Sequence, residues 1–303
     1  MIFKLEHSIN QQVKAPENKG VELFIKREDE IHPFVSGNKY RKLKYNLLEA
    51  EKQGFKTLLT FGGAFSNHIA AVASAGNLLG FKTIGVIRGD ELEDKISENE
   101  TLSFAKQNGM QFKFVSRKAY RDKTSESFIS ILREIFEDFY LVPEGGTNAL
   151  AVKGCEEILS ETDADFDYIC SSVGTGGTIS GLINCSKPSQ QVLGFPALKG
   201  DFLKQDISKF VTKTNWDLIT DYHFGGYAKI NEELVTFINQ FKRQNTISLD
   251  PVYTGKMMFG IFDLINKGYF KKGSKILAIH TGGLQGIDGM NTVLKNKNLS
   301  IIE

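Results

Sequence analysis

The chain has 303 residues, and its 37 lysines and arginines nearly balance its 36 aspartates and glutamates. This length is typical of two domains, and the balanced charge argues against nucleic-acid or membrane-surface binding, because both require a basic excess. The first ten residues contain no apolar run long enough for a signal peptide, and no later run approaches a membrane span. We therefore expect a cytoplasmic protein that binds neither nucleic acid nor membrane.

The spacing of cysteine and histidine gives no sign of a disulfide framework or a metal site. Cys155, Cys170 and Cys185 are odd in number and lack CxxC spacing. The five histidines form neither HxxxH nor HExxH pairs. We therefore predict no bound metal.

The first candidate for chemistry is Lys39, in the stretch SGNKYRKLKYN. Residues 36–38 form a predicted turn, Lys39 follows it, and a helical pattern begins at Tyr40. A helix N-terminus carries partial positive charge, so a lysine is better suited to the opposite end. One interpretation is a solvated lysine in a basic first turn. The other is a lysine whose pKa is lowered, so that its free amine attacks a carbonyl.

Apolar runs alternate with helical patterns along the rest of the chain. They are TLLTFGG from Thr57, FKTIGVIRG from Phe81, QFKFVS from Gln111, FYLVPEGG from Phe139, DYICSSVGTGG from Asp167, QVLGFPAL from Gln191 and SKILAIHTGG from Ser274. Such strands indicate parallel sheets covered on both faces, and two open, twisted sheets of an α/β protein fit the length. Ligands of such sheets bind beyond the carboxyl ends of the strands. Several strands end in glycine, which predicts one cleft built from several loops.

The stretch GGAFSNH begins the helix after the first of these strands. Ser66 and Asn67 are good N-cap residues, and capping alone would explain them. The first turn of this helix could also present free N–H groups to a carboxylate. His68 by itself is more typical of a structural histidine than of a catalyst.

A glycine-rich loop follows the strand that begins at Asp167. Its residues are Gly174, Thr175, Gly176, Gly177 and Thr178. The backbone N–H groups of such a loop, at a helix N-terminus, bind phosphate. No Walker signature follows, and Ile179 stands where a dinucleotide fingerprint needs its third glycine. The loop therefore suits one phosphate, unless it is a turn without a ligand.

Two further stretches complete the set. DPVYTGK contains Tyr253, and HTGG places Thr281 directly after a predicted buried strand. A tyrosine in a loop usually serves packing. Together, however, an amine at a turn, a site for one phosphate and a helix start for a carboxylate match the needs of pyridoxal phosphate and an amino-acid substrate. The cofactor has an aldehyde for the lysine and one phosphate for the loop.

At this point a resemblance becomes visible. SGNKYRKL, GGAFSNH, PEGGTN, SVGTGGT, DPVYTGK and HTGG, in this order, resemble the 1-aminocyclopropane-1-carboxylate deaminase/D-cysteine desulfhydrase family of pyridoxal phosphate enzymes, which have the tryptophan-synthase-β fold. The resemblance covers residues 25–289. It implies a small α/β domain, residues 43–142, inserted in a large one formed by residues 1–42 and 143–303. It also implies a homodimer.

The resemblance assigns roles to residues at the matching positions. Lys39 is expected to bind the cofactor covalently, and Lys42 to lie near its phosphate. Ser66 is expected to take part in proton transfer, and Asn67 to hydrogen-bond the 3′ oxygen of the cofactor. Ser66, Asn67 and His68 are the expected substrate-binding residues.

The remaining roles fall on loops of the larger domain. Residues 174–178 are expected to hold the phosphate, and Tyr253 and Tyr227 to be active-site tyrosines. Whether Lys39 or Ser66 removes the α-proton stays open.

Two positions are expected to divide the family's activities. The cyclopropane deaminases have Glu and Leu where this chain has Thr254 and Thr281. A carboxylate facing the pyridine nitrogen would keep it protonated and make the ring a strong electron sink, which ring opening needs. Two threonines therefore favour β-elimination from D-cysteine, or a related D-amino acid, to pyruvate, ammonia and sulfide.

Three alternatives remain. The first is cyclopropane deamination, which would give 2-oxobutanoate and ammonia. The second is a nucleotide-dependent oxidoreductase, which lacks its fingerprint here and leaves Lys39 unexplained. The third is a ligand-binding module without catalysis, which the joint presence of Lys39, Ser66 and Tyr253 disfavours.

Overall fold

The computed structural model describes residues 3–17, 20–200 and 202–303. In this part of the chain the strands form a six-stranded and a four-stranded sheet. The strands are β1 Asn10–Val13, β2 Glu22–Lys26, β3 Thr57–Gly62, β4 Lys82–Arg88, β5 Gln111–Val115, β6 Tyr140–Val142, β7 Tyr168–Val173, β8 Gln191–Pro196, β9 Trp216–Leu218 and β10 Lys275–Ile279.

Ten α-helices connect and cover the sheets within the described ranges. They are α1 Asn38–Lys52, α2 Asn67–Leu79, α3 Glu100–Gln107, α4 Glu126–Phe136, α5 Ala149–Cys155, α6 Gly177–Cys185, α7 Phe202–Ser208, α8 Glu232–Asn245, α9 Thr254–Asn266 and α10 Gly286–Asn296. None of the helices in the described part of the chain is long and apolar enough to cross a membrane.

The larger sheet has the strand order β1-β2-β10-β7-β8-β9, and the smaller has β5-β4-β3-β6. Both faces of the larger sheet are covered, as the continuous apolar strands predicted. In β10, Ile276 and Ala278 pack into one buried cluster and Leu277 and Ile279 into another. This alternation is the period of two that places successive side chains on opposite faces.

The predicted α/β class is confirmed, with one difference at the edge of the larger sheet. All described strand pairs are parallel except β1 with β2, which is antiparallel. Only residues 14–21 separate these two strands. A parallel crossover needs a dozen residues or more, so the chain can only turn back on itself here.

The strands of the smaller sheet all lie between residues 57 and 142. The predicted boundary at residue 43 falls inside α1, whose Leu43 and Leu47 pack into a cluster with residues of the smaller sheet. The division of the chain into two domains at residues 43 and 142 stays a prediction.

Candidate active site

A cavity of about 430 Å³ lies where strands of both sheets end. The larger sheet contributes the ends of β7 and β10 and the segment after β8, and the smaller sheet contributes the end of β4 and the loops after β3 and β6. This volume is typical of small-molecule sites. One cleft built from several strand ends is the arrangement that the sequence predicted.

The turn before Lys39 is fixed by contact with the loop after β10. Gly37 has φ of 57°, and a Cβ there would lie 2.2 Å from the carbonyl oxygen of Thr281. Only glycine fits so close a backbone approach at positive φ. The contact sets the start of α1 at the cavity, where Lys39 is half-buried.

Lys39 lies in the first turn of α1, because the helix begins at Asn38 and not at Tyr40 as the sequence pattern indicated. Its Nζ donates to Asn38 Oδ1 at 3.3 Å, and Asn38 Nδ2 donates to Thr178 Oγ1 at 2.8 Å. Loss of hydration lowers the pKa of the Lys39 amine to about 8, since burial disfavours the charged form. The amine is therefore available in its neutral, nucleophilic form near physiological pH.

Lys42 lies one helical turn further on and is 2% exposed. Its Nζ donates to the carbonyl oxygen of Gly145 at 2.8 Å, to Thr147 Oγ1 at 2.9 Å and to Thr175 Oγ1 at 3.2 Å. Burial, followed by the charge of Lys39, lowers the pKa of Lys42 to about 7. The predicted neighbour of the phosphate thus lies directly beside the glycine-rich loop.

The start of α6 offers backbone N–H groups that no side chain occupies. Gly176 is the N-cap residue, and no side-chain hydrogen bond caps the helix. A Cβ on Gly177 would lie 2.8 Å from Thr147 Oγ1 and 3.2 Å from Lys42 Cε. Backbone, hydroxyl and ammonium groups converge here, and such groups bind one phosphate.

Ser66, Asn67 and His68 begin α2 on the opposite wall. Ser66 Oγ accepts from the N–H of Ile69 at 3.3 Å, as an N-cap does. Asn67 Oδ1 accepts from Gln285 Nε2 at 2.9 Å. Because the carbonyl end of the Asn67 amide has this partner, its NH₂ end is left as the donor for a ligand oxygen.

His68 is a buried neutral side chain, 2% exposed. Thr60 Oγ1 lies 2.8 Å from its Nε2 and donates its own proton to the carbonyl oxygen of Val142 at 2.8 Å. His68 Nε2 must therefore be the donor of this pair. Its Nδ1 has no partner within the described residues. Burial, with the charges of Lys39 and Lys42, holds the pKa of His68 well below its usual range, so the imidazole is neutral. A substrate-binding role for His68 stays a prediction.

Two tyrosines face each other at the cavity, with ring centroids 6.3 Å apart. Loss of hydration raises the pKa of both Tyr227 and Tyr253, so both phenols are protonated at neutral pH. Tyr253 also packs against the phosphate loop, because a Cβ on Gly174 would lie 3.2 Å from its ring. Both predicted tyrosines thus line the cavity, and their role as proton donors stays a prediction.

The two threonines lie in different surroundings. Thr281 lines the cavity, and its Oγ1 lies 3.2 Å from Ser172 Oγ. Thr254 is fully buried away from the cavity walls: its hydroxyl donates to Asp250 Oδ1 at 2.8 Å and accepts from the N–H of Asp250 at 2.9 Å. The expectation that Thr254 contacts the cofactor stays a prediction, and in the structure its hydroxyl is already bonded to Asp250.

The sequence analysis missed several residues of the site's surroundings, among them Arg88, Glu144, Ser172 and Lys256. Lys256 is 2% exposed, and its Nζ holds the loop of Tyr227 through the carbonyl oxygens of His223 at 2.9 Å and Gly226 at 2.8 Å. Arg88, Glu144 and Ser172 line the cavity. Arg88 ends β4, so the rule that ligands bind beyond strand ends could have found it.

The site fits pyridoxal phosphate by its own geometry: an amine with a lowered pKa and a place for one phosphate share one cavity. Within the described ranges, no group of three or more histidine, cysteine, aspartate or glutamate side chains is placed to hold a metal ion. Fold and site therefore define an α/β enzyme built around an aldehyde cofactor with one phosphate.

Comparison with known proteins agrees with this class. Residues 9–282 match the family described as pyridoxal-phosphate dependent enzyme. A Pyrococcus horikoshii protein, whose name gives it provisionally as a 1-aminocyclopropane-1-carboxylate deaminase, is 32% identical over 297 residues, covering 88% of this chain and 86% of its own length. The bifunctional D-cysteine desulfhydrase/1-aminocyclopropane-1-carboxylate deaminase of Arabidopsis thaliana, a mitochondrial protein, is 31% identical, covering 91% of this chain and 77% of its own.

A solved structure described as an ACC deaminase homologue superposes with a TM-score of 0.82 at 28% identity, covering 95% of this chain and 94% of its own. The chain belongs to the pyridoxal-phosphate dependent enzymes, and within them to the 1-aminocyclopropane-1-carboxylate deaminase/D-cysteine desulfhydrase family. Pyridoxal phosphate is its cofactor.

Proposed function

We propose that this enzyme is a lyase that eliminates sulfide from D-cysteine, so that D-cysteine and water give pyruvate, ammonia and hydrogen sulfide. The observation that carries the proposal is the pair of hydroxyls on Thr281 and Ser172, 3.2 Å apart in the cavity wall. The acidic residues among the described cavity-lining residues are Glu144 and Asp206. Both are neutralised by lysines: Lys123 lies 3.2 Å from Glu144, and Lys209 lies 2.6 Å from Asp206.

The physical reason is the strength of the electron sink. When bound, pyridoxal phosphate withdraws electrons from the bonds that break in the substrate. A carboxylate facing its ring nitrogen would keep that nitrogen protonated and the withdrawal strong, whereas a hydroxyl leaves it neutral. Expulsion of a thiolate has a good leaving group and tolerates the weaker sink, while opening of a cyclopropane does not.

The chain's own residues divide the remaining work. Lys39 would hold the cofactor, and its amine, with a pKa of about 8, moves a proton in the pH range where it is partly neutral. Ser66 Oγ accepts from Ile69 and keeps its own proton free for transfer. The protonated phenols of Tyr227 and Tyr253 would donate to the departing sulfur.

The alternative within the family is deamination of 1-aminocyclopropane-1-carboxylate. One observation favours it: Thr254 lies outside the cavity walls, with its hydroxyl bonded to Asp250. This weakens the part of the argument for D-cysteine that rests on Thr254, because a side chain outside the cavity walls does not set the protonation of the cofactor's ring nitrogen. Thr281 and Ser172 therefore decide between the two activities.

The test is a parallel assay of sulfide, pyruvate and 2-oxobutanoate with D-cysteine, L-cysteine and 1-aminocyclopropane-1-carboxylate. We expect sulfide and pyruvate from the D-isomer and little 2-oxobutanoate. The variant Thr281→Leu should lower sulfide production from D-cysteine, whereas Ser208→Ala, on the exposed end of α7, is the matched control. More efficient formation of 2-oxobutanoate than of pyruvate by the wild type would reject the proposal.

We further propose a homodimer of two-domain subunits in the cytoplasm that acts on a small amino acid. The support is the resemblance of the whole chain to the family. Size-exclusion chromatography with light scattering checks the dimer, and limited proteolysis near residues 43 and 142 checks the domain boundaries. A monomer at micromolar concentration would contradict the first of these.

A further inference from the structure

Arg88 is the last residue of β4 and lines the cavity in an exposed position. Its guanidinium lies 5.9 Å from the centroid of the Tyr120 ring. Within the described part of the chain, no carboxylate lies within ion-pair distance of Arg88. An arginine that faces a ligand cavity without a counter-ion is prepared to bind an anion, since its planar donors match a carboxylate.

The other charges around the cavity already have partners. Glu144 pairs with Lys123 and accepts from the Tyr120 hydroxyl at 2.7 Å. Asp206 pairs with Lys209. Lys42 donates to three oxygens beside the phosphate loop. The positive charge of Arg88 therefore remains for a group that the protein itself does not supply.

The guanidinium of Arg88 lies beside the loop that leads into α2, whose start is the proposed site of the substrate carboxylate. A Cβ on Gly63 would lie 3.7 Å from one guanidinium nitrogen of Arg88, and a Cβ on the preceding Gly62 would lie 2.9 Å from Ser66 Oγ. Neighbouring Cα atoms are about 3.8 Å apart, so with the two Cα–Cβ bonds the guanidinium nitrogen lies at most roughly 13 Å from the Ser66 hydroxyl. An amino acid with an acidic side chain of a few atoms, hydrogen-bonded at both ends, has a reach of this order when its α-carboxylate is at the start of α2.

We propose that Arg88 is a specificity-determining residue that binds an anionic group on the side chain of the substrate. Among D-cysteine derivatives that undergo the proposed elimination, those with a second acidic group beyond the β-carbon are then bound more tightly than neutral ones of the same shape. This inference rests on the proposed function for the placement of the α-carboxylate. It adds to D-cysteine a class of substrates whose leaving thiolate carries a distal negative charge.

The test compares two compounds of nearly equal shape, S-carboxymethyl-D-cysteine and S-carbamoylmethyl-D-cysteine, which differ only in the charge of the distal group. Elimination from the first, with one water, gives pyruvate, ammonia and mercaptoacetate. The holoenzyme is mixed with each compound in stopped flow, and the dissociation constant is read from the early change of cofactor absorbance. The specificity constant kcat/KM is measured on the same samples.

We expect the wild type to bind the carboxymethyl compound at least about tenfold more tightly, with the same preference in kcat/KM. Arg88→Met should reduce the ratio to near one, and Arg88→Lys should keep part of it. Arg117→Met is the matched control, because this arginine is exposed and pairs with Glu91 at 2.6 Å outside the cavity. It should keep the full preference.

Equal binding of the two compounds by the wild type would overturn the inference. So would an Arg88→Met variant that loses affinity for both compounds equally, because Arg88 would then bind the α-carboxylate. A charge preference in the absorbance titration without pyruvate formation would instead reject the elimination reaction and leave the role of Arg88 standing. The two failures are therefore distinguishable.

Discussion

Two neighbouring helices, α5 and α6, begin in opposite ways. The first N–H groups of α5 are capped by the side chain of Asn148, whose Oδ1 accepts from Ala151 at 2.9 Å. α6 begins at Gly176 with no side-chain cap. The N–H groups at a helix start need some partner, so an uncapped start that opens on a cavity is suited to a ligand, whereas a capped start is already complete.

The same contrast extends to other helices of the structure. Side chains also cap α3, α4 and α8, at Asn99, Ser125 and Asn231. α1 begins at Gly37 without a side-chain cap, and its first turn carries Lys39 at the cavity. α2 is the mixed case, since Ser66 caps the helix and also lines the cavity. The following predictions test whether the uncapped starts serve the ligand and the capped ones serve stability.

The largest effect is expected for Lys39→Met at the start of α1. Loss of a group that binds the cofactor and transfers a proton should lower turnover of D-cysteine by about 10³ or more. Stability in urea should not fall, because the variant removes an amine that burial already disfavours in its charged form. Lys52→Met, at the exposed end of the same helix, is the control. An active Lys39→Met enzyme would contradict the role of this lysine.

The second prediction separates two capping residues. Ser66→Ala and Asn231→Ala should each cost about 1 kcal/mol of unfolding free energy, the usual cost of an N-cap. Only Ser66→Ala should also lose about 10² in turnover, because its hydroxyl proton is free for transfer at the cavity. Denaturation in urea and the sulfide assay measure the two effects. Equal turnover of both variants would return Ser66 to a purely structural role.

The third prediction concerns the uncapped start of α6. Gly177→Ala should weaken pyridoxal phosphate binding by about tenfold or more, since 1.4 kcal/mol of lost contact is tenfold. The added methyl would meet Thr147 Oγ1 at 2.8 Å and Lys42 Cε at 3.2 Å. Titration of the cofactor-free protein by absorbance gives the dissociation constant. Unchanged affinity would show that the phosphate binds elsewhere.

The smallest effect is a pH dependence of stability from Lys42. Its pKa is about 7 in the folded protein and about 10.4 in the unfolded chain. Between these values the unfolded chain binds more protons, so the wild type gains stability as pH rises. Below pH 7 the Lys42 amine is protonated in both states, so the folded protein bears the full free-energy cost of burying its charge.

The measurement is the difference in unfolding free energy between the wild type and Lys42→Met, both without cofactor, from pH 7 to pH 10. The difference should shift in favour of the wild type by up to about 1.4 kcal/mol per pH unit. Taking the difference cancels titrating groups that do not interact with Lys42, such as Cys170 and Cys185, whose pKa is raised by burial. A difference that does not change with pH would mean that Lys42 keeps an ordinary pKa.

Most of the central strands could be predicted from the sequence, because runs such as TLLTFG and YICSSV contain no charged residue and consist of apolar and small hydroxyl side chains. Strands β1, β2 and β9 were not predicted, and of these β1 and β9 lie at the edges of the larger sheet. The sequences of β1 and β9, NQQV and WDL, are short and neither is apolar throughout. An edge strand pairs on one side only, so its residues need not be apolar, and tertiary contacts decide whether it forms.

In the site, the residues that lie in loops beside glycines could be predicted from the sequence. Residues that hold a loop distant in the sequence through its backbone could not. Lys256 looks like an ordinary helix residue, and only the folded chain shows that it holds the loop of Tyr227. Thr254 was assigned to the cavity by position in a motif. The bond between its hydroxyl and Asp250 is visible only in the folded chain.

The sequence by itself determined the α/β class, the lysine that follows a turn at the start of α1 and the loop suited to one phosphate. Each of these depends on neighbours within a few residues: apolar runs, turn residues and free N–H groups at a helix start. Only the tertiary structure decided that Thr281 and not Thr254 lines the cavity, that Lys39 and Lys42 lose enough hydration to lower their pKa, and that Arg88 faces the same cavity. Burial and the approach of distant strands depend on how the whole chain packs, and no local pattern encodes them.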